Sequence, residues 1–332
     1  MIVRPIITYG AVAWATKAAQ SSVIQRLSKL QRLACGCASG AMRTCPTVAL
    51  EVILELTPLH QVIRQAANHT MLLMSAEGCG RGKLMSSRQM DALAESTPLV
   101  LLPKDGTTKK INFKRNFQVT LGSKTEWSDS TLEKLLEDST IQWYTDGSKT
   151  PEGIGAGIAG PRTKLSIPMG CFPSIFQAEV FAIGRCAEVN LSRNYRNQRI
   201  AILSDSQAAL KAISSYEIKS LLVEECIERL NRLPLCNRVH PIWVPGHKGI
   251  EGNEKADELA RAAAASKVMG PEPYLAVGSH TFKELLRTDE RTERERHWQQ
   301  ASGMRHAKLL LGVLKSSQIA MSHDGFDLNM QD

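Results

Sequence analysis

A chain of 332 residues with 43% hydrophobic side chains is long enough for one large domain or two ordinary ones, each with an apolar core. No run of about 18 apolar residues is present, which argues against a membrane-spanning helix. Lysine and arginine outnumber aspartate and glutamate by 41 to 33, and most of the excess lies in residues 1–140. Such a bias suits a polyanion partner such as nucleic acid, although it is also common on an ordinary solvated surface.

Residues 1–77 show the spacing of α-helices. The segment SSVIQRLSKLQRLACGCASG begins at serines that could cap a helix and ends at Gly36 or Gly40. The segment PTVALEVILELTPLHQVIRQAANHTMLLMS predicts two further helices separated near Pro58. Residues 78–139 lose this spacing and gain Gly, Ser, Thr and Lys, as in KDGTTKKINFKRNF, which is typical of a linker.

The eight cysteines lack any CxxC pair, and several lie in apolar runs, which favours free thiols in a reducing compartment. Cys35, Cys37 and Cys45 could suit zinc together with His60, but the paired spacing of common zinc sites is absent. The first residues, MIVRPIITYGAVAWATKAA, imitate a secretory signal. Pro5 and the unpaired cysteines argue against that interpretation.

At Ile141 the pattern changes to short strands. IQWYTD, GIGAGIAG and KLSIPMG predict three strands joined by turns. The elements predicted after them are a helix near 174–190, the strand RIAILSD, helices near 207–213 and 217–233, the strand RVHPIWV, and a helix near 253–265. This order describes an α/β fold with a mixed five-stranded sheet flanked by helices and preceded by the α-helical module. Beyond residue 266, FKELLRTDERTERERHWQQ predicts a charged helix, and the last twenty residues show no clear pattern.

Four carboxylates occupy related places in these elements. Asp146 and Asp205 end predicted strands, and Glu179 and Asp257 lie early in predicted helices. Each has an ordinary explanation by itself, as a turn residue, a helix cap or a partner of the helix dipole. If the two strands are neighbours, however, all four can meet at one edge of the sheet. Because converging carboxylates repel one another, the arrangement predicts hard divalent cations, and two ions about 4 Å apart suit phosphoryl transfer.

The segments WYTDGS, QAEVFAI, AILSDSQAAL and WVPGHKGIEGNEKADELA resemble, in order and spacing, the type 1 ribonuclease H family. The resemblance covers residues 140–266, and GHKGIEGNEKAD is its most specific part. It implies a ribonuclease H-like sheet in which Asp146, Glu179, Asp205 and Asp257 bind two Mg²⁺ or Mn²⁺ ions. It further implies an RNA/DNA hybrid as the substrate.

The same resemblance implies that His247, in a mobile loop, assists proton transfer or product release. A loop histidine by itself is usually only solvated, but Gly246 and Gly249 flank this one. Asn253 could cap the last helix or contact nucleic acid. The bacterial members carry a basic protrusion between two central helices, whereas SSYEIKSLLVEE offers only Lys219. The resemblance further implies that Gly147, Ser148, Gln177, Ser206 and Asn253 contact the substrate.

The N-terminal segments RPIITYGAVAW and IQRLSKLQRLACGCASGAMRTCPTVALEVILELTPL resemble the helical region after the polymerase palm in reverse transcriptases of non-LTR retrotransposons, over residues 1–75. The polymerase's own aspartate motif, Y/F-x-D-D, is absent, so polymerase activity is not expected. The chain therefore resembles the C-terminal piece of a retroelement polyprotein. Such an origin implies work at nuclear DNA, and an excess of basic residues in the helical module would help to retain a template and primer duplex.

Three functions remain in competition. The first is a metal-dependent endonuclease that cuts the RNA strand of RNA/DNA hybrids. The second is a catalytically idle remnant that only binds nucleic acid, since a recently truncated copy would keep the same carboxylates. The third is a related transferase or integrase built on the same sheet, which the GHKGIEGNEKAD loop disfavours.

Overall fold

The computed structural model of the protein describes residues 3–76, 102–106, 109–123, 127, 132, 134–136, 139–233, 237–266, 273 and 275–311. Two units separate in it: one contains Met1–Met74 and Glu284–Asp332, and the other contains Leu101–Lys283. The domain boundaries at 77, 139 and 266 stay predictions. The last twenty residues, and much of the predicted linker, lie outside the described ranges. Within those ranges, no helix has both the length and the apolar character needed to cross a membrane.

The first unit begins with five helices: α1 (Val3–Thr8), α2 (Ala11–Ala18), α3 (Ser21–Ser39), α4 (Thr47–Ile53) and α5 (Leu59–Ala76). Helix α3 ends at Gly40, whose φ of 64° is the left-handed conformation that closes many helices. Its N-cap is Gln20 without a side-chain hydrogen bond, so the predicted serine cap is wrong. Helices α4 and α5 confirm the two helices predicted on either side of Pro58. Gln31 joins α3 to α5, because its Oε1 accepts the N–H of Leu59 at 2.6 Å.

The second unit is built on a five-stranded sheet. The strands of the unit are β1 (Lys104–Asp105), β2 (Lys110–Ile111), β3 (Ile141–Lys149), β4 (Ile154–Gly160), β5 (Thr163–Pro168), β6 (Arg199–Ser204), β7 (Glu217–Ile218), β8 (Arg238–Trp243) and β9 (Val277–Gly278). The sheet has the order β5-β4-β3-β6-β8, with antiparallel pairing from β5 to β3 and parallel pairing from β3 to β8. The predicted mixed sheet is therefore confirmed.

The helices after the first hairpins are α6 (Ile175–Ser192), α7 (Gln207–Ser214), α8 (Leu221–Arg232), α9 (Glu251–Ala265) and α10 (Ser279–Gln300), and residues 305–311 are also helical. The predicted charged helix is confirmed by α10. The prediction of a helix over 217–233 is wrong in its first turn. Glu217 and Ile218 form β7, which pairs with β2, and Ser220 caps α8 by accepting the N–H of Val223.

Side chains of alternate residues in β4 face different helices. Ile154, Ala156 and Ile158 lie in the main apolar core with residues of α6 and α8. Gly155 and Gly157 point the other way, toward α9, whose backbone comes so close that no side chain would fit. Both faces of the sheet are therefore covered at β4, because successive side chains of a strand point to opposite faces.

Part of the segment assigned to a linker contacts this sheet. Phe117 is buried in the main core, and Thr120 pairs with the outer strand β8. The Thr120 N–H donates to the Pro241 carbonyl at 3.0 Å, and its own carbonyl accepts the Trp243 N–H at 2.9 Å. These contacts extend the second unit upstream of β3.

Candidate active site

Two aspartates meet because β3 and β6 run side by side in the same direction. The parallel pairing ends at Thr145 in β3 and Ser204 in β6. The next residue is Asp146 in the first segment and Asp205 in the second. Asp146 is not at the end of its strand as predicted, since β3 continues to Lys149 through its pairing with β4. The two carboxylates therefore meet where the hydrogen-bonded pairing of β3 with β6 ends, and not where β3 itself ends.

Helix α6 brings the third carboxylate. Ser174 and Gln177 form a capping box at its start, and Glu179 follows in the second turn. A Cβ atom at Gly147 would lie 2.9 Å from the backbone nitrogen of Glu179 and 3.0 Å from the Cβ of Ala178. Glycine at 147 is therefore what lets α6 approach β3 closely enough to deliver Glu179.

Asp146, Glu179 and Asp205 form a cluster in which one carboxylate oxygen of each lies within 4.8 Å of the others. Asp146 and Glu179 are each only 6% exposed. Burial, followed by the charge of Asp205, raises the pKa of Asp146 to about 7. Burial, followed by the charge of Asp146, raises the pKa of Glu179 well above its ordinary value. Both shifts arise because buried like charges are costly without a cation.

One oxygen of this cluster lacks a protein partner. Glu179 Oε2 is buried and accepts no hydrogen bond from any described residue. Buried polar atoms are nearly always bonded, so an orphaned carboxylate oxygen beside two others fits a cation ligand. An all-oxygen set of carboxylates suits a hard divalent ion such as Mg²⁺ or Mn²⁺.

Asp257, the fourth predicted carboxylate, pairs with an arginine of its own helix instead of joining the cluster. Asp257 on α9 forms a two-pronged ion pair with Arg261, with distances of 2.9 Å from Nε to Oδ1 and 2.6 Å from Nη2 to Oδ2. It does not belong to the cluster of three, although its charge contributes to the raised pKa of Asp146. Its role as a metal ligand stays a prediction.

His247 lies in the exposed loop between β8 and α9 and has a left-handed φ of 57°. The loop backbone runs against the cluster, because a Cβ atom at Gly246 would lie 2.6 Å from Asp205 Oδ2. Asn253 approaches the same oxygen and donates to it from Nδ2 at 3.4 Å. This loop and the start of α9 therefore border the cluster at Asp205.

The remaining predicted residues lie outside the cluster of three carboxylates. Ser206 caps α7 by accepting the N–H of Ala209, and Ser148 is half-buried in β3. Asn253 does not cap α9, whose N-cap is Ile250. Gln177 is 1% exposed, and its amide bonds to Ser174 and to two segments distant in the sequence. The structure gives Gln177 a positional role at the start of α6.

Asp105, which no sequence pattern singles out, holds the starts of two helices. Its carboxylate accepts from Gln177 Nε2 at 3.2 Å, from the Ser220 hydroxyl at 2.8 Å, and from the Leu222 N–H at 3.1 Å. Asp105 therefore joins α6, which carries Glu179, to α8. An aspartate in PKDG, between turn residues, carries no sequence signal of this role.

Residues 138–265 match the family model described as RNase H. The match covers β3 to α9, including all three clustered carboxylates, and supports an RNase H domain in this part of the chain. An RNase H domain supports a ribonuclease H-type hydrolase acting on RNA/DNA hybrids, with a carboxylate cluster that could bind a metal ion.

Proposed function

We propose that this protein is a metal-dependent endonuclease that hydrolyses the RNA strand of RNA/DNA hybrids with two Mg²⁺ or Mn²⁺ ions. The proposal rests on the cluster of Asp146, Glu179 and Asp205, of which the first two are buried, with its orphaned oxygen inside the segment that matches the RNase H family. Two divalent ions at this cluster would supply charge neutralisation and Lewis acidity at the phosphate.

The protein's own residues define the reaction in this proposal. A water oxygen forms a bond to phosphorus while the bond from phosphorus to the 3′ oxygen breaks, which leaves 3′-hydroxyl and 5′-phosphate ends. Asp146, Glu179 and Asp205 supply the oxygen ligands for the metal ions. His247 lies on the loop beside Asp205 and would exchange a proton with the attacking water or the product.

In this proposal Asp257 completes the ligand set by exchanging its ion pair with Arg261 for a metal ion. Its partner Arg261 has a side chain 62% exposed, and the two residues are an i,i+4 pair on one helix. Exposed pairs of this kind contribute only about 0.3–0.5 kcal/mol. The Asp257 side chain is 16% exposed, but a divalent cation beside the cluster would attract its charge more strongly than the solvated guanidinium does. The ion pair with Arg261 therefore does not prevent Asp257 from serving as the fourth metal ligand.

Cleavage of a labelled RNA/DNA hybrid by the full chain tests the proposal. We expect cutting of the RNA strand alone with Mg²⁺ or Mn²⁺, and none with a chelator. Asp205→Asn removes a ligand charge with little change of volume, so cleavage should fall by about 100-fold or more while folding and hybrid binding persist. Glu228→Gln, on the exposed face of α8, is the matched control and should cut normally.

Equal cleavage by Asp205→Asn would overturn the assignment of the metal site. If the wild-type chain is folded and binds the hybrid but cuts neither strand, the protein is instead an idle nucleic-acid-binding remnant.

We further propose that the protein derives from a non-LTR retroelement polyprotein. The support is the resemblance of residues 1–75 to the helical region after a reverse transcriptase palm, together with the helical character of α1 to α5. In that setting the first unit would help to hold the template and primer duplex for the nuclease.

A further inference from the structure

An exposed patch of aromatic and apolar side chains lies where β2 pairs with β7. Phe113 is 73% exposed, Tyr216 54% and Ile111 64%. The rings of Phe113 and Tyr216 are in contact, with centroids 5.2 Å apart. Scattered exposed apolar side chains are ordinary, but a contiguous group with polar neighbours marks a binding surface.

Four lysines lie in the same two chain segments as these rings. Lys109 and Lys219 each pair with Glu217, at 2.8 Å and 2.7 Å, and Lys110 pairs with Glu224 at 2.9 Å. Lys114 forms no ion pair with any described residue, and four lysines against two glutamates leave the surface positive. We call this the basic-aromatic surface: Lys109, Lys110, Ile111, Phe113, Lys114, Tyr216 and Lys219.

The surface is built into the fold by bonds between distant segments. The Asn112 N–H donates to the Tyr216 carbonyl at 2.9 Å. The Arg115 guanidinium donates to the carbonyls of Ile213 at 2.9 Å and Ser215 at 2.5 Å, at the C-terminal end of α7. The backbone that carries the rings and lysines is therefore fixed before any partner arrives, which reduces the entropic cost of binding.

Helix α7 links this surface to the carboxylate cluster. It begins two residues after Asp205 and ends two residues before Tyr216. Its eight residues span about 12 Å at 1.5 Å per residue. Asp205 and Tyr216 therefore lie just beyond opposite ends of this helix.

We propose that the basic-aromatic surface binds a single-stranded segment of nucleic acid, with bases stacked on Phe113 and Tyr216 and phosphates on the surrounding lysines. An acidic peptide would satisfy the lysines, but flat exposed rings beside cations suit bases better, since every base has a π-face. This binding goes beyond hydrolysis of the hybrid and does not require it.

The test is the affinity of the full chain for a labelled single-stranded thymidine oligonucleotide, measured by fluorescence anisotropy in a chelator so that no cleavage occurs. Phe113→Ala should weaken binding on the order of tenfold, because it removes one stacking face. Phe113→Trp keeps an aromatic ring and should bind like the wild type. Since Phe113 is largely exposed, neither change should unfold the protein.

Charge is tested separately. Changing Lys109, Lys110 and Lys114 together to Gln should reduce the slope of log affinity against log salt concentration by about 0.7 for each phosphate that a lysine no longer neutralises. Lys164→Gln, on the exposed edge strand β5, is the control and should change neither the affinity nor its salt dependence.

Wild-type affinity in Phe113→Ala would overturn the proposal and leave an acidic protein as the better partner. Because binding is measured without metal, weaker oligonucleotide binding by these variants would support the surface even if the wild-type chain fails to cut a hybrid. Conversely, if the chain cuts hybrids but the surface variants bind the oligonucleotide like the wild type, the proposed binding surface is wrong and the proposed nuclease activity stands.

Discussion

The surroundings of Asp146 and Glu179 disfavour the ionised forms of both carboxylates. Asp146 gains its raised pKa from burial and from Asp205, and Glu179 from burial and from Asp146. A hydrogen bond between Asp146 and Glu179 favours the ionised form of the first and the protonated form of the second. A bound divalent cation would reverse this balance, so metal binding at this site should release protons.

This predicts an unusual pH dependence for the metal-free protein. Unfolded Asp146 releases its proton near pH 3.8, whereas the folded protein keeps it up to about pH 7. Between these values the folded state binds more protons, so the free energy of unfolding should fall as the pH rises from about 4 to about 7. Asp146→Asn should remove much of this slope and stabilise the metal-free protein above pH 7 by on the order of 1–4 kcal/mol.

Urea unfolding in a chelator at several pH values would measure the effect, with Glu228→Gln as the control for loss of a surface carboxylate. Parallel pH profiles for Asp146→Asn and the wild type would contradict it. Added Mg²⁺ should stabilise the wild type at high pH and should do so much less for the variant.

The helix that carries Asp257 depends on glycines in its neighbouring strand. A Cβ atom at Gly157 would collide with the Ala256 carbonyl and lie 2.5 Å from the nitrogen of Ala260, both in the backbone of α9. Backbone atoms cannot rotate away as a side chain can. The close approach of β4 and α9 therefore requires glycine, and it also determines the position of Asp257.

We expect Gly157→Ala to destabilise the second unit by about 2 kcal/mol or more, because α9 must move away from the sheet. It should also lower cleavage by displacing Asp257. Gly184→Ala in α6 is the matched control, since its nearest neighbour would be the end of the Arg229 side chain at 3.4 Å. Thermal unfolding compares the two, and similar midpoints for both variants would show that glycine is not needed at 157.

At the scale of the molecule, the second unit is larger than the segment that matches the family. The match covers residues 138–265, yet Asp105 lies upstream of it and the Ala276 carbonyl downstream. Both accept hydrogen bonds from Gln177, with the Ala276 oxygen 2.7 Å from Nε2. The start of α6 is therefore held by segments outside the matched region.

A piece limited to residues 138–265 should accordingly be less stable than Leu101–Lys283. The shorter piece lacks the Asp105 carboxylate, leaves the Gln177 amide without two partners and exposes apolar surface around Phe117. Hydrogen bonds to a charged group contribute about 1.5–3 kcal/mol each, so we expect the free energy of unfolding in urea to fall by several kcal/mol. Asp105→Ala in the longer piece should reproduce part of this decrease, whereas equal stability of the two pieces would contradict the role of these segments.

Local sequence patterns determined the outline of the fold and three members of the candidate site. Short apolar runs bounded by turn residues identified the five strands of the main sheet, helical spacing identified α3 to α6, and their order along the chain placed Asp146, Glu179 and Asp205 where they could meet. These inferences succeed because strand and helix periods depend on neighbours only a few residues apart.

Tertiary structure alone decided the features that depend on distant residues. Glu217 is in a strand because β2 pairs with β7, and Arg115 meets the Ser215 carbonyl 100 residues later in the chain. Asp105 likewise accepts the hydroxyl of Ser220, which follows it by 115 residues. No local pattern encodes such partners, since packing of the whole unit determines which distant groups come within hydrogen-bonding distance.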